Sequence, residues 1–308
     1  MEWDTSFFMR SVFDFSGAFL SQITMKPIIT FERENMRTKK MLRVLGIAMG
    51  LLFAPPLTAQ AADAEAWPDI RKQLYGERDV SSAATSDLVL YAPNQSADGA
   101  LVPVSVHMPA SVAKQAKQLT LIIDRNPAPI AASVTFGPVW QRDDDIGDRI
   151  FSTRVRVDSF SVMRAVLETT DGRLLMSHKF VAGAGGCSAL PSKDIAQALA
   201  DLGKVKLKTS SNTIRGGLWR EGLAMIRHPN FTGMQLDPKS GDYTPARYVS
   251  KIEVTDGEQQ IFTVDANISL SEDPNLRFTY PSNSNRLELN AVDSDGVQIS
   301  GTTSGPPS

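Results

Sequence analysis

Short runs of alternating apolar and polar residues make up most of the chain after residue 80. The first group of these runs covers residues 87–92, 101–107, 119–124, 130–136, 151–157, 161–168 and 173–181. A period of two is typical of half-buried strands, and turn signals such as Asp171-Gly172 separate the runs. The pattern therefore predicts an antiparallel β-sandwich in the first half of the chain.

A second group of similar runs predicts a second small sandwich. These runs cover residues 222–228, 248–255, 260–270, 276–280, 285–292 and 297–300, with hairpin signals at Asp256-Gly257 and Asp295-Gly296. The fold class predicted is therefore all-β, with two immunoglobulin-like antiparallel β-sandwich domains. Residues 62–187 form the first domain and residues 221–300 the second, and residues 301–308 are expected to be a disordered tail.

Two short helices are also predicted. Trp67, Ile70 and Leu74 share one helical face near the start of the first domain, and residues 191–202 have a helical pattern inside a linker at 188–220. Between residues 203 and 220 there are five basic residues and no acidic one. This stretch is interpreted as a solvated linker, with a docking strip as the alternative.

The first sixty residues have the features of an export signal. A basic cluster at residues 37–43 precedes an apolar run at 44–54, and Ala59-Gln60-Ala61 has the small-x-small form of a cleavage site. The apolar run is too short to span a bilayer and ends at Pro55-Pro56. We therefore expect cleavage after Ala61 and a periplasmic product without a membrane anchor. Because such a signal begins close to the start of a protein, we expect translation to start at Met36 or Met41, with residues 1–35 as an upstream extension that is not part of the protein.

Composition and charge exclude several classes of protein. One cysteine cannot form an intramolecular disulfide, and with three scattered histidines it cannot complete a Cys₄ or Cys₂His₂ zinc site. A net charge of −2 argues against a nucleic-acid binder. No nucleotide-binding or nucleophile-elbow motif is present, so no cofactor, no metal and no independent enzymatic activity are predicted.

The single cysteine, Cys187, is the strongest candidate for chemistry. It follows a glycine-rich stretch that contains Gly183, Gly185 and Gly186, which we interpret as a flexible arm. Such an arm suits a group that is offered to a partner. The alternative is a buried, inert cysteine. The flanking glycines favour an exposed and reactive thiol.

The chain also contains motifs that occur, in the same order, in a known pair of proteins. In the first half they are Asp98-Gly99-Ala100-Leu101-Val102-Pro103-Val104, Asn126-Pro127-Ala128-Pro129, Thr153-Arg154-Val155-Arg156-Val157 and Gly185-Gly186-Cys187. In the second half they are Ile226-Arg227-His228-Pro229, Thr232-Gly233, Pro245-Ala246-Arg247-Tyr248-Val249 and Ser271-Glu272-Asp273-Pro274-Asn275. The first set resembles SoxY, the sulfur-carrying subunit of the bacterial thiosulfate-oxidising Sox system, and the second resembles SoxZ.

This resemblance implies a fold and a role. It implies two immunoglobulin-like sandwiches, and it implies that Cys187 holds sulfur intermediates covalently while other periplasmic redox enzymes act on them. A fused single chain also resembles SoxYZ-like carriers associated with PQQ-dependent quinoprotein dehydrogenases. In SoxY the arm ends the chain, whereas here the chain continues to residue 308.

Two functions therefore remain open. The first is a periplasmic carrier that holds a sulfur-containing intermediate on Cys187 and presents it to Sox-type or quinoprotein partners. The second is a non-catalytic accessory module that binds a quinoprotein dehydrogenase, with Cys187 incidental. In both cases we expect no nucleic-acid partner.

Overall fold

The computed structural model describes residues 66–142, 147–212, 219–282, 284 and 286–303. The predicted export signal lies outside these residues, as do residues 304–308 of the predicted tail. The described residues all belong to one unit, 60–308. None of the helices among them is long and apolar enough to cross a membrane.

Three short helices and fifteen strands make up this described part of the chain. The helices are α1 (Trp67–Tyr75), α2 (Ala110–Ala113) and α3 (Ile195–Ala200). The strands of the first half are β1 (Val80–Ser82), β2 (Val89–Tyr91), β3 (Val102–Met108), β4 (Ala116–Ile123), β5 (Ile130–Phe136), β6 (Arg149–Val155), β7 (Ser161–Thr169) and β8 (Leu174–Val181). Those of the second half are β9 (Val205–Asn212), β10 (Trp219–Ile226), β11 (Val249–Asp256), β12 (Gln259–Ala266), β13 (Asn275–Pro281), β14 (Leu287–Asp293) and β15 (Gln298–Thr302).

The all-β prediction is confirmed, and the strands form two sheets that both halves share. The nine-stranded sheet has the order β1-β8-β7-β4-β5-β12-β11-β14-β15, and the six-stranded sheet has the order β2-β3-β6-β13-β10-β9. All the pairings between these strands are antiparallel except that of β1 with β8. The halves join where β5 pairs with β12 and where β6 pairs with β13. Each sheet is therefore continuous across the boundary between the two predicted sandwiches.

An aromatic cluster in the core crosses the same boundary. Phe262 from the second half packs edge-on against Phe151 from the first half, with 5.6 Å between ring centroids, and lies 6.3 Å from Trp140. Phe278 continues the cluster at 4.9 Å from Phe262. Edge-to-face pairs of this kind contribute about 0.5–1.5 kcal/mol each beyond their buried area. The two halves therefore share one hydrophobic core as well as two sheets.

The prediction of a solvated linker is wrong for residues 205–212, which form β9. Val205, Leu207 and Thr209 point towards the core, while Lys206 and Lys208 are exposed. β9 pairs along its whole length with β10. The two lysines occupy the outward positions of a period-two pattern. The number of basic residues led to the prediction of a linker although the alternation indicates a strand.

The N-terminal helix is confirmed, and it covers part of the nine-stranded sheet. Trp67, Ile70 and Leu74 of α1 pack on a small apolar cluster on the outward side of that sheet. Trp67 also lies over the guanidinium of Arg164, which forms a buried ion pair with Asp124 at 2.8 Å. The predicted helix at 191–202 is observed as α3.

Candidate functional site

The segment that carries Cys187 leaves the end of β8 and is hydrogen-bonded to the loop that follows β6. The Gly185 N–H donates to the Asp158 carbonyl at 2.8 Å, and the Gly186 N–H donates to the Val157 carbonyl at 3.1 Å. We call residues 182–189 the arm. In this structure the arm is docked against the sandwich.

The glycines of the arm are required by this docked conformation. Gly185 has a φ of +68°, in the left-handed region that disfavours other residues. A Cβ on Gly186 would lie 2.2 Å from the Gly99 carbonyl oxygen, so the two backbones approach too closely for any side chain. Gly183 is buried, and its Cβ would lie 3.2 Å from the Val157 side chain. The expectation of a flexible arm is therefore not met in this structure, because these glycines permit tight packing and a left-handed turn.

The thiol itself is buried, so the prediction of an exposed cysteine is wrong for this conformation. Cys187 is 0% exposed. Its backbone N–H donates to Asp158 Oδ1 at 3.1 Å. Burial, together with the charge of Asp158 and a hydrogen bond between the Asp158 carboxylate and the thiol, raises the pKa of Cys187 to about 12, although Arg156 acts in the opposite direction. The docked cysteine is therefore a neutral thiol at neutral pH.

Residues of both halves hold the arm in place. Thr232 Oγ1, in the second half, donates to the Cys187 carbonyl at 2.5 Å. Arg156, which is 1% exposed, donates through Nη1 to the Gly186 carbonyl at 2.9 Å and through Nη2 to the Asn230 carbonyl at 3.3 Å. Cys187 is thus docked where the two halves of the chain meet.

Hydrogen bonds also fix Asn230, which accepts from Arg156, and the segment that follows the arm. Asn230 has a φ of +44°, and its side-chain amide donates to the Ser271 carbonyl at 3.0 Å. The Glu272 carboxylate accepts from the Ser192 N–H at 3.0 Å, which fixes the chain just beyond the arm. Burial lowers the pKa of Arg156, while the negative charge of Glu272 acts in the opposite direction.

Sequence reasoning identified Cys187 and its glycines but missed the residues that hold them. Arg156, Asp158 and Thr232 lie 29 to 45 positions away from the arm residues they contact, so no local motif connects them. Arg156 and Thr232 occur in the motifs quoted above, but nothing there indicated their contact with the arm. Arg156 stands between Val155 and Val157, at an outward position of the period-two pattern, so the local sequence did not mark its burial. Across the part of the chain that the structure describes, no cluster of three or more His, Cys, Asp or Glu could hold a metal ion.

Comparisons with known proteins match each half to a different family. The model described as "Sulfur oxidation protein SoxY" matches residues 71–187, and the model described as "Sulphur oxidation protein SoxZ" matches residues 212–304. The first match ends at Cys187. The chain is therefore a SoxY-type region followed by a SoxZ-type region, a fused SoxYZ-like architecture, which confirms the resemblance.

Many solved structures also match this chain, among them that of a sulfur carrier protein. The structure of the sulfur carrier protein SoxY from Chlorobium limicola f thiosulfatophilum is 20% identical, with a TM-score of 0.31, and the match covers 39% of this chain and 95% of that chain. No curated protein matches the chain.

Proposed function

We propose that the protein is a carrier that holds a sulfur-containing intermediate covalently on Cys187 and presents it to partner redox enzymes. The observation that carries this proposal is the SoxY match, which ends at the chain's single cysteine. The similar protein SoxY is itself named as a sulfur carrier. The carrier supplies attachment and delivery, and the partners supply the redox chemistry. The export signal predicted from the sequence supports a periplasmic location, where such partners would meet the carrier.

The docked arm must open for this function. A thiolate is the nucleophile in sulfur transfer, and a buried neutral thiol reacts slowly. Opening breaks the two backbone hydrogen bonds of Gly185 and Gly186 and the three contacts made by Arg156, Asp158 and Thr232. Each of these contacts contributes about 1 kcal/mol to the docked state. A partner must therefore compete with these contacts to release the cysteine.

The arm is tethered at both ends, which limits how it is presented. It is continuous with β8 on one side and with the segment fixed by Glu272 on the other. A partner site must therefore accept a loop rather than a free chain end.

A second candidate function is favoured by the burial of Cys187. A thiol that is 0% exposed and has a pKa of about 12 behaves as an inert structural cysteine. In this case the protein is an accessory module that binds a quinoprotein dehydrogenase through its sheet faces, without using the cysteine.

Gene replacement separates the two functions. Cells with Cys187→Ser lose oxidation of reduced sulfur compounds if the cysteine carries sulfur, whereas Ser188→Ala, at the exposed neighbouring position, retains it. Full activity with Cys187→Ser, together with loss on substitution of an exposed sheet face, would instead establish the accessory module.

A further inference from the structure

The outward side of the six-stranded sheet carries a concentration of basic residues. Two neighbouring rows of residues cross β13, β10 and β9 in that order. The first row is Arg277, Leu223 and Lys208, and the second is Asn275, Met225 and Lys206. The intervening residues of β10, such as Ala224, are buried in the core. We call the surface formed by Lys206, Lys208, Leu223, Met225 and Arg277 the basic face.

The cations of the basic face are not neutralised by neighbours. None of Lys206, Lys208 and Arg277 forms an ion pair with another described residue, whereas lysines elsewhere do, as in the 2.8 Å pair of Lys239 with Asp194. Glu221 is the only acidic residue within β9, β10 and β13. The face is thus positive on a chain whose net charge is −2.

The face is also concave and partly apolar. A groove of about 380 Å³ runs over it, and its lining includes Leu223, with Lys208 and Arg277 on the strands to either side, and also Glu221. Leu223 and Met225 are half-buried, so apolar surface remains available between the cations. Leu223 between two cations suits a segment that presents carboxylates and apolar side chains together, and the three cations of the face outnumber the single carboxylate of Glu221.

Protection of a sheet edge does not account for this arrangement. Lysines on an edge strand discourage pairing with other chains, and β9 is such an edge. However, Arg277 lies two strands further in, on β13, and Leu223 and Met225 lie on β10 between them. Residues on interior strands cannot block the pairing of an edge.

The basic face leads towards the docked cysteine. Met225 is next to the last residue of β10, and the chain then continues to Thr232, which holds the Cys187 carbonyl. A segment lying along β10 therefore reaches the end of the sandwich where the arm is docked.

We propose that the basic face binds an acidic segment of a partner protein. Carboxylates of that segment pair with Lys206, Lys208 and Arg277, and its apolar side chains contact Leu223 and Met225. This binding does not depend on whether Cys187 carries sulfur, so its failure leaves the carrier function intact.

The proposal is tested by the fluorescence anisotropy of a labelled peptide of alternating Glu and Leu, titrated with the full chain. A matched peptide of alternating Lys and Leu is the control. The Glu peptide is expected to bind and the Lys peptide not. Lys206→Glu/Lys208→Glu should weaken binding by about tenfold or more, and Leu223→Ser should weaken it as well. Lys72→Glu/Lys251→Glu, an equal charge change at exposed positions away from the face, should leave it unchanged.

Several results would overturn the proposal. One is absence of binding to the Glu peptide, and another is an equal loss of affinity in the face and control variants. A third is that sodium sulfate displaces the peptide more strongly than sodium chloride does at the same ionic strength, which would indicate a site for small anions instead. Self-association of the wild-type chain that is lost in the face variant would assign the surface to a second copy.

Discussion

The buried thiol gives the sharpest quantitative prediction, which concerns the carboxylate beside it. A pKa of about 12 in place of 9.0 lowers the thiolate fraction at pH 8 from about one in ten to about one in 10,000. The folded protein should therefore react with iodoacetamide about 1,000-fold more slowly than the urea-unfolded chain. This ratio measures how strongly the folded environment suppresses the reactive thiolate.

Asp158→Asn should recover part of that reactivity. The substitution removes a negative charge that disfavours the thiolate, while its amide oxygen can still accept from the Cys187 N–H. We expect the folded variant to react about tenfold faster than the folded wild type, which corresponds to about one pKa unit. The pH dependence of alkylation should shift to lower pH by the same amount.

Asp265→Asn is the matched control, because Asp265 is exposed on β12. Both variants should react at the wild-type rate in urea, where the arm is not docked. If folded Asp158→Asn reacts no faster than the wild type, the carboxylate does not control the thiol and this electrostatic reasoning fails.

Three further outcomes are expected. Thr232→Val removes one anchor of the arm, worth about 1 kcal/mol, so alkylation of Cys187 should become about fivefold faster; an unchanged rate would exclude this contact as an anchor. Gly186→Ala places a Cβ against the Gly99 carbonyl, so urea unfolding should show a loss of about 1–3 kcal/mol, and wild-type stability would contradict the tight docking. Burial lowers the pKa of His228 in the folded chain, so as pH falls this histidine is protonated in the unfolded chain before it is protonated in the folded one. Stability should therefore decrease below about pH 6.5, and a His228→Asn variant that shows the same pH dependence would refute this assignment.

Most strands could be predicted from the sequence because their burial alternates. The runs at 130–136 and 161–168 agree closely with β5 and β7. Buried and half-buried positions largely alternate in β5, whereas β7 is buried on both faces because α1 covers its outward side. β9 was missed because its outward positions are lysines, and a local count of charge outweighed the alternation. The pairing of β5 with β12 was not predictable because the sequence of a strand does not specify which strand it pairs with.

The cysteine could be found from the sequence, but its environment could not. A glycine-rich run permits both a flexible arm and a close backbone approach, and the local sequence does not distinguish them. Two distant residues determine that the arm is docked. The carbonyl of Gly99 leaves no room for a side chain at Gly186. Asp158 accepts two backbone N–H groups of the arm, one through its carbonyl and one through its carboxylate. These contacts arise only when the two sheets have assembled.

The mass of the chain isolated from its native compartment tests the central claim most directly. The account predicts that part of the wild-type protein carries the extra mass of a sulfur-containing group on the peptide that includes Cys187. Reducing agent should remove this mass, and Cys187→Ser should lack it. A wild-type chain whose mass is that of the unmodified thiol, under conditions in which the cells oxidise sulfur compounds, would contradict the carrier function.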